Sequence, residues 1–223
     1  MERDTKMQKV KVWDLPTRLF HWTLVVCMVF MFVSAKIGGS WLQWHLRCGL
    51  FLLALILFRI VWGFVGSDTA RFTQFVKSPK HIIRYLKGEI TENEQPGHNP
   101  LGALMVLALI FGILFQLITG LFSPDENSYI YGGYLSNKAG ENASKIRSIH
   151  LLWANVLMIL AGVHIAVVLL YKFVKKHNLI TPMITGNKYL NDPVPQLKMV
   201  SIIKALIILI ITAGIAYSIT LIK

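Results

Sequence analysis

Five apolar runs, each about twenty residues long, constrain this chain more than any other feature. A run of that length crosses a hydrocarbon core of ~30 Å as a helix. Only a helix or a closed barrel satisfies its backbone polar groups there. The runs extend from about Leu15 to Ala35, Trp41 to Val65, Leu101 to Phe122, Lys145 to Tyr171 and Val200 to Ile222. Their flanks carry stop and start signals. Asp14 suits an N-cap before Pro16, and Ser40 and Gln43 have capping-box spacing. Pro124 follows the third run, and the break "NDPVPQ" precedes the fifth. Composition agrees: 54% of the 223 residues are hydrophobic and only 15% charged. The expected fold is all-α, an integral membrane helical bundle with a four-helix core and a fifth C-terminal transmembrane helix. The core domain is expected over residues 1–188, and a linker with the fifth helix over 189–223. The first run is long and lacks a small-residue cleavage site, so it reads as a retained helix rather than a signal peptide.

The formal net charge of +12 at pH 7 does not point to nucleic acid, because the basic residues sit between apolar runs and no soluble basic domain exists to hold a duplex. The N-terminal tail carries Arg3, Lys6, Lys9, Lys11 and Arg18, and the second loop Arg71, Lys77, Lys80, Arg84 and Lys87. The fourth loop carries Lys172, Lys175, Lys176, Lys188 and Lys198, whereas the first has only Lys36. The third balances Lys138, Lys145 and Arg147 against Asp125, Glu126 and Glu141. By the positive-inside rule the N-terminus is cytoplasmic and the C-terminus lies outside. In "ARFTQFVKSPKHIIRYLKG", Ile82, Ile83 and Leu86 can share a helical face after Pro79. That segment reads either as an amphipathic helix on the lipid surface or as a solvated loop.

Seven histidines occur. His81, His98 and His177 lie in loops or at membrane edges and read as loop residues. His21, His45, His150 and His164 lie inside the runs, where ionisable side chains are costly and mark ion paths, relays or cofactors. His150 and His164 are fourteen residues apart. A helix rising 1.5 Å per residue separates them by about 21 Å and returns the side chain to within about 40° of its first direction. Depth then pairs them with other helices. His21 and His164 each lie roughly 9–10 Å below the cytoplasmic surface, while His45 and His150 both lie about one turn in from outside. Imidazole is a good ligand for haem iron, and iron held by two imidazoles carries electrons. Two stacked bis-histidine sites, hence two haem b groups, follow from this placement.

The competing reading, a haem-free Zn or Cu transporter, expects ligands gathered at one depth, and no Asp or Glu lies in any run. Cys27 and Cys48 belong to no C-x-x-C-H motif, which excludes covalent c-type haem; they read as small buried thiols. Arg18, Arg47 and Arg59 suit haem propionates by charge and planar geometry, or else snorkel to the interface. Gly49, Gly112, Gly120 and Gly162 either make room for a porphyrin edge or let helices approach. Trp13, Trp22, Trp41, Trp44 and Trp153 fit interfacial belts.

"VWDLPTRLFHW", "RIVWGFVGSDTARF", "GHNPLGALMVLALI", "IHLLWANVLMILAGVH" and "NLITPMITGNK" together resemble the bacterial cytochrome b561 and nickel-hydrogenase-type cytochrome b family. The likeness runs from the N-terminal tail to about Lys188; the fifth run adds no motif. It implies a dihaem b-type cytochrome of the bacterial inner membrane whose haem-ligand positions match His21, His45, His150 and His164. It also implies quinone or quinol as small-molecule partner, and a periplasmic c-type cytochrome, dehydrogenase or hydrogenase subunit as protein partner. A homodimer is compatible with it. One member type of the family oxidises superoxide and passes the electrons to quinone; this chain looks closer to the hydrogenase-type and cytochrome-c-partnered branch.

Overall fold

The computed structural model describes residues 7–90, 94–125 and 132–222. Strand β1 (Met7–Lys11) precedes helices α1 (Leu15–Ile37) and α2 (Trp41–Val65). Two short helices, α3 (Phe72–Phe75) and α4 (Pro79–Leu86), lie before α5 (Pro100–Phe122). The chain continues through α6 (Ala143–Phe173), α7 (Ile180–Thr185), strand β2 (Asn187–Asn191) and α8 (Ile202–Ser218). All five apolar runs are helices long and apolar enough to cross a membrane, with ends within a few residues of those expected. The protein is an integral membrane helical bundle carrying, among the described residues, one two-stranded ribbon. Gly38 and Gly39, at φ 70° and 56°, make the left-handed turn between α1 and α2 that favours glycine.

The helices are enclosed unequally. Half of the apolar window of α2 is buried, against 6% for α6, so α2 is a core helix. α6 buries only Leu157. Among its other residues, Leu152 and Ile159 are exposed, as lipid-facing side chains are.

The chain divides into two compact units. The first comprises residues 1–19, 60–108 and 164–205. Its organising feature is non-local: β1 pairs antiparallel with β2, Met7 opposite Asn191 and Lys11 opposite Asn187. The Met7–Lys11 part of the N-terminal tail, read above only as a basic segment, is therefore half of a ribbon; Arg3 and Lys6 lie outside the described residues. Gly186 ends α7 at φ 86°, and its carbonyl accepts from the Val12 and Trp13 amides at 2.8 and 3.0 Å. A Cβ there would stand 2.8 Å from the Trp13 carbonyl oxygen, so conformation and space both require glycine.

Asp14 caps α1 as expected: its Oδ1 accepts from the Thr17 amide at 2.6 Å. Its Oδ2 accepts from the Trp62 indole N–H at 3.1 Å. Both residues are buried, Trp62 completely, so the indole donor is satisfied where leaving it unpaired would be costly. Trp13 is buried and tilted against His98 at 4.7 Å between ring centroids. His98, in turn, meets Phe75 edge-on at 4.9 Å. The linker before α8 is pinned too, because the Lys198 amide donates to Asp68 Oδ2 (2.8 Å) and the Val200 amide to Ser67 Oγ (2.9 Å). α4 is the helical alternative of the second loop: Tyr85 Oη lies 2.5 Å from Tyr171 Oη, while Ile83 and Leu86 face outward.

The second unit comprises residues 20–59, 109–163 and 206–223. Trp153 donates its indole N–H to the Gly112 carbonyl at 2.8 Å. Gly112 also leaves room for Leu157, since a Cβ there would come within 3.0 Å of it. Cys27 and Cys48 are free thiols, Cys27 buried and Cys48 half-buried.

Candidate functional site

The second unit contains a cavity of about 410 Å³ lined by His45 of α2 and His150 of α6. Pockets of about 300–1,000 Å³ take small organic ligands and cofactors. Most of the wall is apolar side chain or glycine, with leucine the commonest residue; the polar exceptions include Gln116, Asp125, Tyr134 and Arg147. From α6 the wall takes Arg147, His150, Ala154 and Leu157, one stripe at spacings of three and four, with Leu151 beside His150.

Each ring is oriented from behind. His45 Nδ1 lies 3.0 Å from the Met31 carbonyl oxygen and 3.2 Å from Ser34 Oγ. The Ser34 hydroxyl, fully buried, itself donates to the Phe30 carbonyl at 2.7 Å. A carbonyl can only accept, so Nδ1 carries the proton and Nε2 carries the lone pair. His150 repeats this arrangement: its Nδ1 lies 3.1 Å from both the Gln116 carbonyl oxygen and Thr119 Oγ1. The Thr119 hydroxyl back-bonds to the Phe115 and Gln116 carbonyls at 3.1 and 3.0 Å. Gln116 Nε2 donates to the His150 carbonyl at 3.1 Å and lies 3.3 Å from His150 Nε2. Gly120 seats the ring, for a Cβ there would come within 2.9 Å of His150 Cε1.

Two neutral imidazoles, each with Nδ1–H held by a carbonyl and Nε2 able to ligate, are the donor chemistry that bis-histidine haem iron requires. Apolar walls suit a porphyrin face, and Arg147 suits a propionate. The residues present therefore fit a haem at His45 and His150. Among the described residues, no three His, Cys, Asp or Glu side chains gather as a metal cluster would need.

The other residues singled out in the sequence lie elsewhere. His21 is half-buried, with its ring edge-on to Trp22 at 5.0 Å. His164 is half-buried on α6. These two belong to different compact units, whereas His45 and His150 share both unit and cavity. Arg18 donates to the Ile184 carbonyl, which ties α1 to α7. Arg47 is exposed, with its guanidinium 4.8 Å over the Trp44 ring, and Arg59 is buried. Arg147, counted above only as a loop charge, lines the cavity. It precedes His150 by one turn, as Arg18 precedes His21, and that shared spacing was the available signal. Ser34, Gln116 and Thr119 were also missed. Their signal was a polar side chain within an apolar run.

The fold and this cavity define a class: an integral membrane helical protein that presents a pair of imidazoles to an apolar, cofactor-sized space. The family model for prokaryotic cytochrome b561 matches residues 12–186, and the chain belongs to that family. It is a membrane b-type cytochrome, a class of electron carrier. Among its relatives is the probable Ni/Fe-hydrogenase B-type cytochrome subunit of Rhodobacter capsulatus, 25% identical over 228 residues, covering 86% of each chain. The protein of the same description from Azotobacter vinelandii is 26% identical over 228 residues, with 87% of this chain and 95% of the relative covered. That from Rhizobium leguminosarum bv. viciae is 26% identical over 226 residues, covering 86% and 93%. No solved structure matches the chain.

Proposed function

We propose that the protein is a dihaem cytochrome that carries electrons across the bacterial inner membrane between the quinone pool and a periplasmic redox partner. The observation that carries this reading is the cavity shared by His45 and His150, with both Nδ1 protons committed to carbonyls. Haem supplies reversible one-electron chemistry at its iron. His45 and His150 would hold one group, with Arg147 offering its guanidinium to a propionate; His21 and His164 would hold the second. α6 contributes one ligand to each site, about 21 Å apart along its axis. The haem-binding domain is residues 1–188, and the linker and α8 append to it.

The relatives' descriptions as hydrogenase cytochrome subunits support a hydrogenase or similar periplasmic oxidoreductase as partner; a c-type cytochrome would serve the same role. The loop charges support a cytoplasmic N-terminus. Quinone is the expected substrate on the membrane side of the reaction.

The test begins with a dithionite-reduced spectrum of purified, haem-replete protein, which should show a b-type alpha band; its absence would remove the reading. Quinol addition should then reduce the haems. Stopped-flow mixing with superoxide separates a passive carrier from a superoxide:quinone oxidoreductase: haem reduction above the buffer rate would favour the enzyme.

A further inference from the structure

A second cavity, about 590 Å³, lies in the first unit just beyond the end of α6. Unlike the first it is basic. Lys9 reaches it from β1, Lys188 from β2, and Lys176, His177 and Asn178 from the turn after α6. No acidic side chain is among its described lining residues. Neither Lys9 nor Lys176 takes part in an ion pair among the described residues.

Hydrogen-bond donors accompany the charge. Asn178 Oδ1 accepts from the Ile180 and Thr181 amides at 3.0 and 3.1 Å, and its Nδ2 donates to Thr181 Oγ1 at 2.8 Å. Having accepted from Asn178, the Thr181 hydroxyl keeps its proton for another acceptor. The backbone adds an independent sign. Lys176 has φ 59° and is the only non-glycine residue with positive φ among the described residues. The chain turns there, with the His177 amide donating to the Tyr171 carbonyl at 2.9 Å. Glycine or asparagine ordinarily takes such a helix-ending position, and strained backbone gathers at ligand clamps. Here the strain places a lysine at the basin.

We propose that this basin binds a phosphate group, presented by the headgroup of an anionic phospholipid. Ammonium groups with a nearby hydroxyl suit phosphate oxygens. Lipid is favoured as the source by position. The basin opens three residues past Phe173, where the α6 span ends. Phe173 and Val174 beside it are 67% and 70% exposed, apolar surface suited to acyl chains. Tyr189 on its wall is 63% exposed, as aromatic residues at the headgroup level are. Basic pockets at helix ends recognise such headgroups. The site is separate from the haem cavity and does not depend on the electron-transfer reading.

The test uses the full chain in neutral detergent, titrated with phosphatidylglycerol, with phosphatidylcholine and with inorganic phosphate. Bound species are read by native mass spectrometry. Phosphatidylglycerol should bind in preference to phosphatidylcholine. Lys9→Gln and Lys176→Gly should each weaken it about fivefold, and together about 25-fold. Lys80→Gln with Lys87→Gln, at α4 and outside the basin, should leave it unchanged. Lys176→Gly suits the left-handed backbone, so its thermal midpoint should not fall. Lipid loss without destabilisation then separates a lost ligand contact from misfolding. The proposal is overturned if the double variant retains full binding, or if phosphatidylcholine binds equally. It is likewise overturned if the Lys80 and Lys87 variants weaken binding as much, or if inorganic phosphate fills the basin and phosphatidylglycerol does not displace it.

Discussion

His45 and His150 stand on different helices yet are held by matching hydrogen-bond pairs. Each Nδ1 meets a helix carbonyl and a hydroxyl three residues further on: Met31 with Ser34 on α1, and Gln116 with Thr119 on α5. Each hydroxyl in turn back-bonds to the carbonyl of a phenylalanine four residues earlier, Phe30 or Phe115. Such partners set the tautomer and the ring plane, and they raise the basicity of the ligating nitrogen.

Ser34→Ala and Thr119→Val should therefore retain a folded cytochrome but hold one haem less tightly. Losing a partner of this kind costs about 10–100-fold in metal affinity. Haem dissociation to apomyoglobin and the low-spin electron paramagnetic resonance g-values measure it. Ser34→Thr restores the hydroxyl and should recover most of the loss; a purely structural role for Ser34 would leave the g-values unmoved.

Substituting the ligands tests the pairing itself. His45→Ala and His150→Ala should each remove the same haem, halving pyridine haemochrome content and deleting one set of g-values. His21→Ala and His164→Ala should delete the other set. If His21→Ala and His150→Ala delete the same set, the pairing is wrong.

Gly120 and Gly162 predict opposite outcomes for one chemical change. Gly120→Ala drives a methyl to within 2.9 Å of His150 Cε1, whereas a Cβ at Gly162 meets nothing within 4 Å. Overpacking of this sort costs about 1–3 kcal/mol. Gly120→Ala should disturb the haem at His150, visible as a shifted or diminished alpha band. Gly162→Ala should leave spectrum and thermal midpoint in place.

Asp14 joins a helix cap to a buried indole, so its removal has two costs. Loss of the cap costs about 0.5–2 kcal/mol, and the Trp62 donor left without its acceptor about 1–3 kcal/mol. Asp14→Ala should lower the thermal midpoint in detergent more than Trp62→Phe, which leaves the cap in place. A double variant no worse than Asp14→Ala alone would show that the two groups act as a unit.

Much of the fold is legible in the amino-acid order. α2 begins and ends where the apolar run begins and ends, because transmembrane length and hydropathy are properties of a local window. The relation of His150 to His164 is equally local: the rise and turn of one helix put them on one stripe. Arg147 is within reach of the same reasoning, one turn before a histidine, but its position in a mixed-charge loop outweighs that spacing. Closeness to a helix end, the one signal Trp13 and Trp153 carry in the sequence, does not say that a neighbour from another segment packs against the ring or accepts its N–H. His98 packs against Trp13, and the Gly112 carbonyl accepts from Trp153.

The sequence by itself determined the five spans, the cap at Asp14 and four histidines in apolar helices. Each follows from rules acting within a few turns of chain. Only the tertiary structure decided that β1 pairs with a strand more than 170 residues away, that Trp62 donates to Asp14, and that Met31 and Gln116 carbonyls orient the imidazoles. Those contacts depend on the rotation and register of one helix against another, which side-chain packing sets over the whole unit and no single stretch of sequence contains.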